Sequence, residues 1–347
     1  MNLGGSIRIN KCGLLILFTA LFFLTYYVLI GSSTAPEYVP RDPNVVNLRK
    51  LLIGAIQAAE KGGVEVVTVS THADFHVKSK GKTAEGANNP VTEADFKSHC
   101  VMQFGLHHIF PRLKIISEED SSKMSCPDVK LFDLDPTVLR ESLTIPDETV
   151  DIDDITVWID PLDATQEYTE RLFEYVTTMV CVAIKGIPTI GVIHNPFTQK
   201  TTWAWTGVAT SEDLQKVKKT ELTDRTTVIV SRSHGGEVKN ISKGYFGENT
   251  QIITAAGAGY KVLQVIHGNA TVYLHTTNIK KWDVCAGDAI LRAVGGKMTN
   301  LLNDELLYGP LESVLNTKGL LAAYKGHHEK YIERISDYRT NKIIDKV

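Results

Sequence analysis

Cysteine is scarce in this chain. The 347 residues contain five, at positions 12, 100, 126, 181 and 285, with no CxxC pair and no spacing of the kind used by zinc sites. A structural zinc module is therefore excluded. An excess of either charge is also missing, since 37 Lys and Arg stand against 40 Asp and Glu for a formal net charge of −3. A nucleic-acid surface needs a basic excess, so none is expected. No internal repeat is present, which excludes a solenoid or a propeller. Long uncharged apolar runs are absent too, with one exception.

That exception is Cys12 to Ile30, nineteen residues without a charge and rich in Leu, Phe and Ile. At about 1.5 Å per residue, a helix of that length just spans a hydrocarbon core of ~30 Å. Arg8 and Lys11 precede it and Glu37, Arg41 and Asp42 follow, so the positive end is expected to stay cytoplasmic and everything after residue 31 to lie on the lumenal or outer side. A cleaved signal peptide competes with this reading. Its apolar region would be ~7–15 residues, and here the small-residue stretch Ser33–Ala35 runs directly into Pro36. The length favours an uncleaved anchor, with a tail over 1–11, a membrane helix over 12–30 and a stalk over 31–43. Two sequons, at Asn240 and Asn269, are the glycosylation sites expected of a lumenal chain. Cys181 and Cys285 lie in apolar surroundings and read as buried thiols. An oxidising lumen permits a bridge, whose partners the sequence does not name.

Beyond the stalk, Val45, Leu48, Leu52, Ile56 and Ala59 recur at helical spacing after Asn44, a good N-cap, and Gly62-Gly63 is expected to stop that helix. Val64 to Val69 reads as a strand, 78–90 as a mobile loop, Glu93 to Phe110 as a helix and Leu113 to Ile116 as a strand. Residues 121–155 are polar and acidic, with Asp151, Asp153 and Asp154 in a solvated loop. Thr156 to Ile159 is a strand that Pro161 should end, because proline lacks an N–H. Strands at 177–184 and 189–194 follow, then strands at 227–231, 250–254 and 271–275 alternating with helices near 235–246, 259–268 and 283–294. The polar interval 208–224 divides an N-terminal lobe, 44–222, from a C-terminal lobe, 223–335.

Acidic residues stand at element ends in four separate segments: Thr92-Glu93-Ala94-Asp95, Ser117-Glu118-Glu119, Asp160-Pro161-Leu162-Asp163 and Lys281-Trp282-Asp283. Each has a plain structural alternative. Thr92 and Asp95 form a capping pattern, Glu118-Glu119 a surface pair, and Asp283 a helix cap. Asp160, the Leu162 carbonyl and Asp163 nevertheless gather hard oxygen donors on one corner, which suits Mg2+.

Glu-Glu, then Asp-Pro-Leu-Asp-x-Thr, then Trp-Asp opening a Gly- and Ala-rich helix resembles the lithium-sensitive, Mg2+-dependent phosphatase superfamily of inositol monophosphatase, over roughly residues 45–330. Within it, the run Ile159 to Glu170 and the tetrapeptide Ser231-Arg232-Ser233-His234 resemble the 3′(2′),5′-bisphosphate nucleotidases, and the single anchor with Ala164 resembles their Golgi branch. The resemblance implies an α/β fold of the layered αβαβα sandwich type. It implies two or three Mg2+ ions on Asp95, Glu118, Asp160, the Leu162 carbonyl, Asp163 and Asp283, with inhibition by Li+. Ions ~3.5–4 Å apart can stabilise both the attacking and the leaving oxygen of an in-line displacement. Asp95 with the Thr165 hydroxyl is implied to activate the water, and the N–H groups of the helix starting at Thr165 to receive the phosphate. Two departures stand out: Ser117 and Ala164 occupy places where many relatives carry Gly.

The implied substrate is 3′-phosphoadenosine 5′-phosphate (PAP), the by-product of sulfotransferases, hydrolysed to AMP and phosphate so that glycosaminoglycan sulfation continues. Glu118, Ser231, His234, Gly257, Lys261 and Asp283 are the implied substrate contacts. Two competing readings are an inositol monophosphatase and a nucleotide-binding membrane scaffold without turnover. The implied placement is single-pass type II in the Golgi membrane with a lumenal catalytic domain. The oligomeric state is open, a homodimer being one option.

Overall fold

Residues 155–159 and 179–183 are apolar on both faces, as a strand covered on both sides requires. The computed structural model of the chain accounts for this pattern. It describes residues 18, 19, 21, 22, 25, 44–82, 88–120, 126, 127, 129–139, 144–217, 226–232 and 235–344. Contacts divide the chain into Met1–Pro43 and Asn44–Val347. Of the first unit, five residues (18, 19, 21, 22 and 25) are described, all helical, so the expected membrane helix over 12–30 lies otherwise outside the described residues. Among the described residues no helix is long and apolar enough to cross a membrane.

In the second unit the order begins β1 (Val45–Asn47), α1 (Leu48–Ser70), β2 (Lys78–Lys82), β3 (Asn88–Val91), α2 (Glu93–Ile109) and β4 (Lys114–Ser117). It continues with β5 (Thr149–Asp151), β6 (Ile155–Asp163), α3 (Thr165–Thr169), β7 (Thr177–Ile184), β8 (Ile187–Asn195), β9 (Lys200–Trp205), β10 (Ala209–Thr210) and α4 (Glu212–Gln215). The remainder is β11 (Thr227–Ser231), α5 (Gly235–Phe246), β12 (Gln251–Ala255), α6 (Ala258–Ile266), β13 (Val272–His275), β14 (Ile279–Lys280), α7 (Lys281–Ala293), β15 (Gly296–Thr299), β16 (Leu315–Asn316), β17 (Leu320–Tyr324) and α8 (Lys325–Ile344). A six-stranded sheet runs β10-β9-β8-β7-β6-β4 and a five-stranded sheet β12-β11-β13-β17-β15.

Three apolar layers bind these parts. Val157, Ile159, Val180 and Val182 face Leu51, Leu52, Ile56 and Leu106 of α1 and α2. The alternate residues Trp158, Met179, Cys181 and Ala183 face Val262, Ala286 and Ile290 of α6 and α7, which also meet Ile229 and Tyr273 of the second sheet. Val228, Val272 and Leu321 then face Val238 of α5 and Tyr331 and Ile335 of α8. The order is helix, sheet, helix, sheet, helix. Period-two alternation is what lets one strand serve two layers.

Several local expectations fail for tertiary reasons. Gly62-Gly63 does not stop α1, which runs on through Val64–Val69, the expected strand. A Cβ at Gly62 would lie 2.6 Å from Met102 Sδ and Ser98 Oγ, and one at Gly63 2.6 Å from His194. These glycines permit close packing, which outweighs their ~1 kcal/mol helical penalty. The helix cap is Asn47, whose Oδ1 accepts from Lys50 N at 2.9 Å, and not Asn44. The expected mobile loop 78–90 holds the antiparallel pair β2–β3. Cys181 and Cys285 are not free thiols but bond each other, and Cys100 bonds Cys126, while Cys12 lies outside the described residues. Strands β9, β15 and β17 and helix α8 have no counterpart in the sequence reading.

Candidate active site

Parallel pairing of β4 and β6 sets Ser117 opposite Ile159, and Glu118 N extends the ladder by donating to Ile159 O at 3.1 Å. Glu118 and Asp160 therefore leave the sheet side by side. Beyond Asp160 the β6–β7 register slips, from Asp160 opposite Met179 to Asp163 opposite Thr177. One residue is unpaired, so the strand bulges at Pro161-Leu162 and does not end there. Leu162 N donates to Asp160 Oδ1 at 3.1 Å and Ser98 Oγ to Pro161 O at 2.7 Å, which fixes the bulge. Asp283 arrives from the first turn of α7, where its Oδ2 accepts from Lys280 N at 3.1 Å.

One carboxylate oxygen from each of Glu118, Asp160 and Asp283 lies within 4.8 Å of the others. Burial, then repulsion from Glu118 and Asp163, pushes the carboxyls of Asp160 and Asp283 well above the usual range. Three hard oxygen donors that repel one another, one buried and two partly buried, fit a divalent cation, which would relieve that repulsion. The Leu162 carbonyl accepts from Thr165 Oγ1 at 3.1 Å.

Asp95 is wholly buried in the first turn of α2. Its Oδ2 accepts from Thr92 N at 2.7 Å and Thr92 Oγ1 at 2.6 Å, and its Oδ1 from Thr165 Oγ1 at 3.0 Å. The capping alternative is thus real, but it uses one oxygen and leaves the other for Thr165. Burial chiefly, with the charge of Glu118, raises Asp95 to about 6 against the pull of Thr92. Thr165 opens a single-turn helix behind Ala164, which holds the left-handed conformation at φ 68°.

Asp163 stands beside this triplet, tied to the second sheet's side of the molecule. Its Oδ2 accepts from Gly259 N at 2.8 Å and Thr177 Oγ1 at 3.3 Å. Gly257 takes φ +65°, and a Cβ there would meet Tyr175 O at 2.6 Å, so glycine is required. Lys261, expected to face a phosphate, is 4% exposed and donates from Nζ to Gly257 O at 2.7 Å. Burial lowers it to about 8 against the attraction of Asp163, Glu167 and Asp283. Ser231 Oγ lies 3.3 Å from His275 Nδ1, at the adjacent ends of β11 and β13. His234 lies outside the described residues. Asn240 falls on α5, and Asn269 is exposed just after α6.

Lys80 and His275 escaped the sequence reading, which quoted Glu119 and Arg232 in its motifs but gave them no role. Lys80 Nζ reaches Glu118 Oε1 at 3.0 Å and makes a closer contact with Glu119. Arg232 joins β11 to α3 by pairing with Glu167 at 3.5 Å and Glu170 at 3.0 Å. The alternation Lys78, Lys80, Lys82 was the available signal for a strand presenting lysines on one face.

Residues 47–340 match the sequence model of the inositol monophosphatase family. A Drosophila melanogaster protein provisionally named inositol monophosphatase 3 is 52% identical over 344 residues, covering 97% of this chain and 96% of that protein. The human protein named Golgi-resident adenosine 3′,5′-bisphosphate 3′-phosphatase is 42% identical over 315 residues, covering 88% of this chain and 86% of its own length. CysQ from Bacteroides thetaiotaomicron, described as a bacterial member of the same family, has a TM-score of 0.57 at 22% identity, covering 80% of this chain and 98% of that one. That last likeness speaks to the fold alone. With the family model spanning the two sheets and all three clustered acids, this chain belongs to the inositol monophosphatase family.

Proposed function

We propose that this protein is a Mg2+-dependent phosphatase that hydrolyses the 3′-phosphate of PAP, giving AMP and phosphate, in the lumen of the Golgi. The observation that carries the phosphatase reading is the convergence of Glu118, Asp160 and Asp283 within 4.8 Å, beside the Thr165–Asp95 hydrogen bond. Glu118, Asp160, the Leu162 carbonyl, Asp163 and Asp283 would hold the ions, with Asp95 adjoining. Bound Mg2+ would neutralise the phosphoryl oxygens and lower the pKa of a water. Thr165 would hand its proton to Asp95 Oδ1 and take one from the attacking water as the water oxygen bonds phosphorus and the phosphorus–O3′ bond breaks, O3′ leaving as the AMP hydroxyl with a proton from solvent and Asp95 returning its own to solvent. At about 6, the Asp95 carboxyl is ionised near neutral pH yet basic enough to accept that proton.

The substrate reading draws on the name of the human relative and on a C-terminal lobe in which Gly257 and Lys261 lie beside Asp163, with Ser231 at the end of β11. The compartment reading is supported by the two disulfides, which persist in oxidising surroundings, together with the apolar run 12–30 and the sequons at Asn240 and Asn269. An inositol monophosphatase is the second reading, favoured by the name carried by the Drosophila relative. Phosphate release from PAP, inositol monophosphate and AMP, with Mg2+ and with added Li+, separates them. PAP should be turned over fastest and Li+ should inhibit. Faster release from inositol monophosphate rejects the substrate, and release no greater than that of Asp160→Ala rejects enzymatic function in favour of a scaffold.

A further inference from the structure

Lys80 is placed unlike an ordinary surface lysine. Its side chain is 23% exposed, and its two partners, Glu118 and Glu119, are 20% and 5% exposed. An exposed lysine pair is worth little and is readily screened by salt, whereas this one is largely enclosed. Burial works against the ammonium charge, but Glu118 and Glu119 outweigh it and hold the pKa of Lys80 above its ordinary value. Glu118 is also one of the three clustered acids, so a single carboxylate faces a lysine on one side and Asp160 and Asp283 on the other.

We infer that Lys80 is a tethered counter-cation of the acid cluster, which anchors on Glu119 and competes for Glu118, and so sets how tightly the cluster takes a divalent ion. This rests on the metal-binding reading proposed above. The reasoning is electrostatic. A lysine nitrogen 3.0 Å from Glu118 Oε1 neutralises part of the charge that would attract a dication. Any dication sharing Glu118, Asp160 and Asp283 also meets the ammonium at short range, where repulsion between like charges in a partly buried site exceeds thermal energy. Glu119 supplies the anchor that keeps the lysine there. Lys80 is a positioning residue in this account and takes no part in proton transfer.

The probe is Mn2+ alone, with free ion counted by electron paramagnetic resonance on the full chain. Lys80→Met should bind Mn2+ about tenfold more tightly than wild type, a factor worth about 1.4 kcal/mol. Lys80→Arg keeps the charge and should stay close to wild type. Lys82→Met removes the same charge from the next lysine along the same strand and should also leave affinity close to wild type. Circular dichroism checks the fold, with Lys80→Gln as the second variant if the methionine form does not fold. A wild-type protein that binds no Mn2+ removes the metal reading itself. Wild-type binding with equal or weaker affinity in Lys80→Met overturns the role given to Lys80 alone. An equal gain in Lys82→Met also overturns it, since net charge would then suffice.

Discussion

The Thr165 hydroxyl and Asp95 Oδ1 are 3.0 Å apart although 70 positions separate them in sequence. The hydroxyl carries one proton, so at any moment it donates either to Asp95 or to the Leu162 carbonyl at 3.1 Å. In the proposed reaction, the attacking water would meet a hydroxyl whose proton already has an acceptor. Thr165→Val and Asp95→Asn should each lower kcat by about 10²- to 10⁴-fold. If the two groups act as one relay, as proposed, the double variant should lose little more than either single one. Additive losses in steady-state kinetics would show that they work separately.

Removing a clustered charge should stabilise the protein without metal and abolish its response to metal. Asp160 is 1% exposed and carries a raised pKa from burial and from the surrounding acids. Asp160→Asn should therefore melt at a higher temperature than wild type in EDTA. Wild type should gain about 2.7 kcal/mol at a Mg2+ concentration a hundred times its Kd, and the variant nothing. Scanning calorimetry with and without Mg2+ tests both halves.

Asp288 provides a pH dependence away from the acid cluster. It is fully buried and accepts from Arg292 Nε at 2.8 Å and Tyr308 OH at 3.0 Å. Burial raises it from 3.8 to about 6 in spite of Arg292. Below 3.8 both states hold the proton; between 3.8 and 6 the folded state holds more, so stability falls as pH rises through this window. The loss at neutral pH is up to about 3 kcal/mol. Asp288→Asn should lack that loss, so urea melts at pH 4 and pH 7 should differ less for the variant than for wild type. A parallel pH response would rule the effect out.

Ala164 holds φ 68° at the N-cap of α3, a conformation that costs a non-glycine residue about 1–2 kcal/mol. Against this, glycine adds unfolded-chain entropy of about 0.4–1 kcal/mol. Ala164→Gly should therefore raise stability by up to about 1.5 kcal/mol, read from denaturant midpoints at unchanged slope. A lower midpoint would mean that the methyl packs usefully.

If the second phosphate of the substrate is read by a cation, Lys261→Ala should raise KM for PAP and leave inositol monophosphate nearly unchanged. Its position argues for a structural share as well, since Nζ also holds Gly257 O at 2.7 Å. Equal losses on both substrates would assign Lys261 to supporting the Gly257 turn and Asp163 alone.

The sequence by itself determined the central strands of the first sheet and the acidic motifs beside them. Short, continuous, β-branched-rich apolar runs at 155–159 and 179–183 read as strands, and the motifs carrying Glu118, Asp160 and Asp283 are legible locally. Tertiary structure decided everything that depends on what lies opposite. Gly62-Gly63 reads as a stop until Met102, Ser98 and His194 are seen to need its space. Pro161 reads as a strand end until the bulge frees its missing N–H from the ladder. The pairing of Cys181 with Cys285 spans 104 positions and leaves no local trace. Lys80 meets Glu118 and Glu119 only because β2 folds back toward the end of β4. Periodicity is written within a dozen residues, whereas close approach and charge pairing exist only between segments that the chain brings together.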